Sequence, residues 1–587
     1  MIATIAAAVD LPIESVQKLK KHGITVSPEC GVYASGISVS FENKSSFAIS
    51  YRLGSSDSTS FQRYKNPINL NQTTYIQVKL EGNGAPNTLF IGTFIVGRNH
   101  TLPVICLKVE PSAFFAPTGI YDGKILFGGG NANGIPGTGN SFVGNAWKKN
   151  PIPCFAQFFY NNELVEATAC QVKTFGGWTL GLPEKSLHLY TDTLIGKKEF
   201  EYKFFKNKPY NEFEHLVLRT SGSDQNFTRF KDISISSFAA ELMVDYMDYQ
   251  PAILYVNEKY FGIINLREKI NKDYLAYNHN ADKSNTVLLE QEGGNSKDYK
   301  FLKDYVAAHY ADANFPEEIQ KLMDLEDYFN YSFLEIYIAN VDSRGNIRYW
   351  KDSSSDNKWR WIYYDGDLGC AGNFHRQNFL KERISPVQTD WYNPTWTTNL
   401  LRYTTTNPEL RNRFVQQACL LMCTVLQKDT VVNRIDQFAN AIASEIPYHV
   451  NRFPITQKET EKDWNNHVKN YRKFWEIRPV SMFRHVKEAY GLGDSVHLKF
   501  TTNIPDKKLL IVNESKLHFN KVEGDFFANI PLPLAVPEHS FPYVFKQWSD
   551  GVKEKSRVLD CSTSSSIEAQ FTHAPVSELK NKLHIRR

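Results

Sequence analysis

The sequence predicts an α+β chain, with a central portion of mixed strands and helices flanked by small all-β segments. Three observations lead there. Strand-period alternation runs through residues 25–97 and returns at 495–575; helical periodicity dominates from about 297 to 340 and from about 396 to 490; between them the two periods alternate. The chain has 587 residues, enough for roughly three to five domains at about 100–200 residues each. The expected division is a lead segment at 1–24, a β-sandwich module at 25–98, a large mixed domain at 99–492 and a C-terminal β domain at 493–587.

Each element has its own local reason. The lead carries "PIESVQKLKKHGI", which reads as a short helix. "GISVSFEN", "FAISYRL" and "TYIQVKLEG" alternate apolar and polar residues between turns rich in Ser, Asp, Gly and Asn, as short sandwich strands do. Residues 100–205 are strand-rich and contain the run "GGGNANGIPGTGN" at 128–140. That run has neither Walker A nor GxGxxG spacing, so it reads as a long surface turn, not a phosphate cradle. "EHLVLRTSGSD" and "PAILYVNEKYFGIINLREKI" read as strands, the second a hairpin turning at Asn257-Glu258. "DISISSFAAELMVDYM" between them reads as helix.

Composition excludes several classes. Net charge is +4 with no basic block, so nucleic acid is not the expected partner. No window of about 20 apolar residues exists, so no membrane span is expected. The start, "MIATIAAAVD", lacks the basic residues of a signal peptide. Eight cysteines are scattered without a CxxC or a histidine cluster, which argues against zinc held by cysteine. Cys154 and Cys170 are placed to face each other across a hairpin, without the spacing alone deciding whether they bond.

The segment "NVDSRGNIRYWKDSSSDNKWRWIYYDGD", 340–367, concentrates the polar chemistry. Before it, "LEDYFNYSFLEIYIAN" places Leu325, Phe329, Phe333 and Ile336 on one helix face with Asp324 as N-cap. Asp342 follows the helix, Gly345 suits a tight turn, and Asn346 begins a strand that returns through "WRWIYYD". Regular alternation would put Trp359, Trp361, Tyr363 and Asp365 on one face. Carboxylates gathered at one end of a hairpin require a compensating cation, either a basic side chain or a metal. One Asp orienting a hydroxyl, an Asn shortly after and a second Asp beyond a hairpin are a known arrangement for metal-assisted phosphoryl transfer. The same residues also make ordinary turns around an aromatic core, and the segment alone leaves both readings open.

Residues 25–98 resemble the chitobiase/hexosaminidase C-terminal type of module through "SPECGVYASGISVSFEN" and "ISYRLGSSDSTSFQRYKNPINLNQTTYIQVK". The resemblance implies an accessory role on an exported bacterial protein, with glycan contact as one use. Residues 100–490 resemble the CotH family, the spore-coat protein H type of atypical protein kinase. The matching stretches are "GGWTLGLPEKSLHLY", "HLVLRTSGSDQNFTRFKD", "VNEKYFGIINLREKINKDYL", "NVDSRGNIRYW", "KWRWIYYDGDLG" and "NPELRNRF", in order.

That resemblance implies a protein-kinase-like catalytic domain, ATP as donor, Mg2+ or Mn2+, a protein Ser or Thr as acceptor, and an extracellular or cell-surface location. It implies Asp342 as the catalytic Asp and Asp365 as the metal-binding Asp, with Asn346 and then Asp367 as further metal ligands. Trp359 matches the aromatic that packs on adenine. Lys185, then Arg267, are the candidate phosphate cations, oriented by Glu268. Beside these roles stand plainer ones: Lys185 as a strand-end lysine, Arg267 and Glu268 as a structural ion pair, Trp359 as core, and Asp367 as a turn residue. Two departures matter. Thr179-Leu180 stand where the family commonly has Ser-Arg, and "EQEGGNSKDY" lacks an expected acidic residue near Asn295. A missing phosphate contact, worth roughly 1.5–3 kcal/mol, keeps open a catalytically inactive surface or adhesion protein on the same fold. A glycosidase with paired carboxylates is a third reading, resting on the accessory module alone.

Overall fold

A computed structural model describes residues 12–115, 117–126, 141–342, 344–372, 374–388, 394–452 and 460–574. The chain divides into two compact units. The first comprises Met1–Ile233, Met247–His279 and Gln437–Val468; the second comprises Ser234–Tyr246, Asn280–Asp436 and Lys469–Arg587.

The first unit is built on a 13-stranded sheet among the described residues. Seven of its strands run Ile152–Tyr160, Val104–Val109, Tyr249–Val256, Lys259–Glu268, His215–Arg219, Ser186–Tyr190 and Glu163–Phe175, and the last pairs back with the first. This part of the sheet therefore closes into a barrel, which removes its edges. One face of the barrel strands is apolar and forms a single core with Leu107, Phe158, Val172, Leu187, Leu189, Leu216, Leu218, Leu254 and Leu266. Alternation then turns His188, His215 and Arg267 to the other face.

The predicted hairpin is Tyr249–Val256 with Lys259–Glu268, turning at Asn257, whose φ is +54°. Gly262, at φ +102°, lies where a Cβ would come within 2.3 Å of His449 Nδ1, so the position excludes a side chain. The lead is a short strand, Ile13–Ser15, followed by a 3-10 helix, Val16–His22, ended by Gly23 in the left-handed region.

The strands of 25–98 divide between two sheets. Ile24–Ser27, Ile37–Asn43 and Ile68–Leu70 form a separate three-stranded sheet. Gly31–Tyr33, Leu89–Val96, Thr74–Glu81, Ala48–Leu53 and Gln62–Arg63 continue the large sheet beyond Glu163–Phe175. The position between residues 98 and 99 is therefore not a boundary between sheets: strands on both sides share one ladder network. The run at 128–140 lies outside the described residues. The strands flanking it, Lys124–Leu126 and Ser141–Val143, pair antiparallel. Cys154 and Cys170 are register partners, as the hairpin spacing implies, and both are thiols.

The second unit is organised around the helix Leu325–Tyr337, capped by Asp324, whose side chain accepts the Asp327 N–H at 3.4 Å. Every residue of this helix is buried, not only its apolar stripe. Full burial of Leu325, Phe329, Phe333 and Ile336 contributes about 1.5–3 kcal/mol each. The polar residues on its other faces are there because each has a fixed partner. Glu326 accepts from Lys516 N, Asp327 accepts from Trp361 N at 2.7 Å, and Asn330 donates to Leu242 O at 2.9 Å.

Beside this helix lies a four-stranded sheet in the order Asp245–Tyr246, Arg360–Tyr363, Arg348–Asp352, Thr286–Glu290. Residues 495–573 form two four-stranded sheets among the described residues, as their alternation predicts. Helix Pro408–Cys423 lies against them: Gln416 Nε2 donates to Ile530 O at 2.9 Å, and a Cβ on Gly524 would meet Cys423 Cβ at 2.4 Å.

Candidate functional site

The helix Leu325–Tyr337 stops at a defined point because its last carbonyls are claimed. Arg478, fully buried on the long helix Glu461–Tyr490, donates through Nε to Tyr337 O and through Nη2 to Ile336 O, both at 2.7 Å. Its Nη1 also donates to Phe374 O, His375 O and Gln377 O at 3.0–3.2 Å. A cation satisfying the C-terminal carbonyls offsets the negative end of the helix dipole. It also anchors the point from which the polar loop departs.

From there Asn340 organises the loop. Its Nδ2 donates to Glu335 Oε2 at 2.8 Å and its Oδ1 accepts the Asp342 N–H at 3.0 Å. Gly345 N donates to Asp342 O at 3.0 Å and closes the turn. Asn346 then joins the two ends of the hairpin. Its Nδ2 donates to Asp342 Oδ2 and to the Asp365 carbonyl, each at 3.1 Å. With both N–H groups on one side, the amide oxygen is turned away from Asp342 and is the atom a cation could use.

Asp365 lies two residues beyond the strand Arg360–Tyr363, with φ +61°, so regular alternation ends before it reaches Asp365. Gly366 follows for steric reasons, since a Cβ there would sit 2.0 Å from Tyr363 Oη. Asp367 is 4% exposed.

The electrostatics of the cluster are those of acids crowded together. Burial pushes the Asp342 carboxyl up to about 6; the Asp365 charge adds to the rise and the Asn346 donor opposes it. Burial pushes Glu335 up to about 7, with Arg383 and Asn340 opposing and Asp342 and Asp365 adding. Glu335 Oε1 is buried with no hydrogen-bond partner among the described residues. The donor set of Asp342, Asp365 and the Asn346 amide oxygen is all oxygen. It carries mutually repelling charge and suits a hard divalent cation such as Mg2+ or Mn2+. The residues present fit such an ion.

The sequence-predicted residues thus separate. Asp342, Asn346 and Asp365 come together. Trp359 is 2% exposed, edge-on to Tyr299 at 5.3 Å and to Tyr349 at 5.6 Å, and its backbone bridges to Met323. This is the packing of a core residue.

Lys185, Arg267 and Glu268 belong to the first unit. Arg267 is 2% exposed and its guanidinium is consumed by the Asp232 carboxylate, Asp248 O at 3.2 Å and Met247 O at 2.8 Å. In this arrangement its guanidinium is engaged by protein acceptors. Glu268 is on the opposite face of the strand. It pairs with Lys208 at 3.1 Å and accepts from Asp248 N at 2.7 Å and from the Tyr210 hydroxyl.

Lys185 is different. Its Nζ lies 5.0 Å from the Tyr121 ring centre, and among the described residues it donates one hydrogen bond, to Leu182 O at 2.7 Å. Burial pushes the ammonium down to about 8, with Asp122 opposing. A buried ammonium with two N–H groups left over suits an anionic ligand.

The preceding residue, Glu184, holds Arg229 through two bonds at 3.1 and 3.2 Å and accepts from His449 Nε2 at 3.2 Å. Burial alone would raise this carboxyl, but Arg229, His449 and Arg452 hold it well below the usual range. This network fixes the backbone that presents Lys185.

Sequence reasoning passed over Glu335, Asn340 and Arg478. The signal for the first two was there: polar residues inside "FLEIYIAN", an otherwise apolar run. Arg478 carried none, since an arginine in a charged helix reads as surface.

No curated protein matches the chain. Among solved structures, a proinflammatory kinase of Helicobacter pylori, CtkA, shares 9% identity at a TM-score of 0.22, covering 50% of this chain and 95% of its own. Titin kinase with its flanking domains shares 8% identity at a TM-score of 0.12, covering 96% and 98%. At those scores neither likeness bears on the fold. The CotH kinase protein family matches residues 172–482, more than half of the chain, and spans Lys185, Asp342, Asn346 and Asp365 alike. The chain belongs to the CotH kinase family.

Proposed function

We propose that this chain is a metal-dependent atypical protein kinase that transfers the γ-phosphoryl group of ATP to a Ser or Thr hydroxyl of a protein. The observation carrying the proposal is the Asn346 amide, which holds the Asp342 carboxylate and the Asp365 backbone together at 3.1 Å each. Asp342 Oδ2 is fixed by that bond, leaving Oδ1 to accept the proton of the attacking hydroxyl. Gly345 beside Oδ1 keeps the approach narrow but open, a Cβ there falling 3.4 Å away. Asp365 and the Asn346 amide oxygen would hold Mg2+ or Mn2+, which when bound neutralises phosphate charge and orients the phosphoryl group. Glu335 and Asn340 position the loop. Of the candidate phosphate cations, Lys185 is the one whose ammonium keeps N–H groups suited to an anion.

A second reading, a catalytically inactive member used for surface or glycan contact, draws support from the supply of cations. Leu180, standing where the family commonly has arginine, is fully buried, and Arg267 is sequestered. Transfer of labelled phosphate from ATP with Mg2+ or Mn2+, to the chain itself and to a generic Ser/Thr protein, separates the readings. The kinase reading expects incorporation that Asp342→Asn and Asp365→Ala each abolish; incorporation that survives both changes overturns it.

A further inference from the structure

Away from the acidic loop, the first unit holds a second set of ligating side chains. Glu214, His215 and Asp273 place one carboxylate oxygen, one imidazole nitrogen and one carboxylate oxygen all within 4.8 Å of each other. His215 begins the strand His215–Arg219, Glu214 precedes it, and Asp273 is in the first turn of the helix Lys272–His279. All three line one cavity of about 20 Å³, with Lys269, Asn271 and Tyr277 on its wall. That is room for one ion or one water.

The distances inside the cluster favour an ion. His215 Nε2 lies 3.6 Å from Asp273 Oδ2. That is too long for a hydrogen bond. It matches the edge between two ligands of one tetrahedral cation, about 3.4 Å for metal–ligand bonds near 2.1 Å.

The surroundings orient both ligands. His188 is on the neighbouring strand, one pleat along on the same barrel face, and its Nε2 meets His215 Nδ1 at 3.2 Å. His188 is buried. In the tautomer where His188 Nε2 accepts from His215 Nδ1–H, the His215 Nε2 lone pair is the one that faces Asp273. A histidine ligand commonly has this second hydrogen bond behind it. Asp273 Oδ2 in turn accepts from Asn271 Nδ2 at 2.7 Å.

We infer that Glu214, His215 and Asp273 form a divalent transition-metal site of the zinc class, separate from the acidic loop and backed by His188. One imidazole and two carboxylates make three protein ligands with a fourth position for water, a set that suits Zn2+ and its probe Co2+ better than Mg2+. The ion would clasp the strand His215–Arg219 to the helix Lys272–His279. Two carboxylates balance its charge; Lys269 on the cavity wall opposes binding, and its Nζ is directed to Ile270 O at 3.0 Å. The inference does not rest on the proposed kinase activity.

The test uses the full chain carrying Asp365→Ala, stripped with chelator and free of nucleotide, so that the acidic loop does not compete. Titration with Co2+, read by visible absorbance and by calorimetry, is expected to show one equivalent bound with ligand-field bands. His215→Ala and Asp273→Asn each remove that equivalent, and His188→Ala weakens it about 10- to 100-fold. The conservative Glu214→Gln, with an unfolding transition matching its parent in chelator, loses most of the affinity while showing that the fold is kept. No bound equivalent, or one that His215→Ala and Glu214→Gln leave intact, overturns the site. So does a His215 ring proton titration in chelator that Zn2+ does not alter, which identifies an imidazolium paired with Asp273.

Discussion

Glu335→Gln should make the metal-free protein more stable at pH 8 and nearly neutral at pH 5. The carboxylate is 5% exposed, one of its oxygens has no hydrogen-bond partner among the described residues, and it feels the Asp342 and Asp365 charges. Its pKa stands at about 7 against an ordinary 4.5. At 1.36 kcal/mol per unit, ionising it in the fold costs on the order of 3 kcal/mol relative to the unfolded chain. The sign follows from proton counting: between pH 4.5 and 7 the folded state binds more protons than the unfolded one, so stability falls as pH rises. The favourable contribution is complete below the unfolded pKa and is lost as pH passes through about 7. Glutamine keeps the acceptor for Asn340 Nδ2 and removes the charge. Urea unfolding in chelator at pH 5 and pH 8 should give a variant within about 0.5 kcal/mol of the parent at the lower pH and about 1–3 kcal/mol more stable at the higher. A pH-independent difference, or destabilisation at pH 8, would refute the claim that this cluster is a repelling set of acids.

Three further outcomes follow from the same geometry. Arg478→Met leaves five buried carbonyl contacts unmade and should cost about 3–5 kcal/mol in chemical unfolding, with activity falling because the loop after Tyr337 loses its anchor. Gly366→Ala should lose activity and about 1–3 kcal/mol of stability, and Tyr363→Phe should restore part of both, because the clash is with the tyrosine oxygen. Lys185→Met should raise the ATP KM about tenfold or more with the unfolding midpoint little changed, whereas Arg267→Met should cost about 2–4 kcal/mol of stability, since buried Asp232 loses Arg267 and keeps Arg219 at 3.4 Å.

Much of the acidic loop was legible in the sequence because its parts are local. A helix with an Asp cap, a Gly-bearing turn and an Asn opening a hairpin are short-range signals, and they lead from Asp324 to Asn346 without tertiary knowledge. The hairpin at Asn257 was legible for the same reason. What failed was reasoning that assumed one buried face. The helix Leu325–Tyr337 is buried throughout and the strand Arg360–Tyr363 at Trp361, Ile362 and Tyr363, Trp359 is buried beside them, and Asp365 reaches the cluster through a left-handed residue, not through alternation. The family resemblance implied a phosphate cation, Lys185 or Arg267, oriented by Glu268. A strand sends adjacent residues to opposite faces, and each found a different partner, Asp232 and Lys208, from far along the chain. Local pattern likewise carried no sign that strands on both sides of residue 98 share one sheet, because strand pairing is long-range. Nor did it show that His188, His215 and Asp273 converge.

The central claim is that Asp342, Asn346 and Asp365 form one divalent-cation and nucleotide site. Calorimetric titration of ATP into the full chain, with and without Mn2+, tests it most directly. The account predicts saturable heat that requires the metal and disappears in Asp365→Ala, while that variant unfolds as the parent does in chelator. Heat that is absent in the parent, or that persists unchanged in Asp365→Ala, would contradict it.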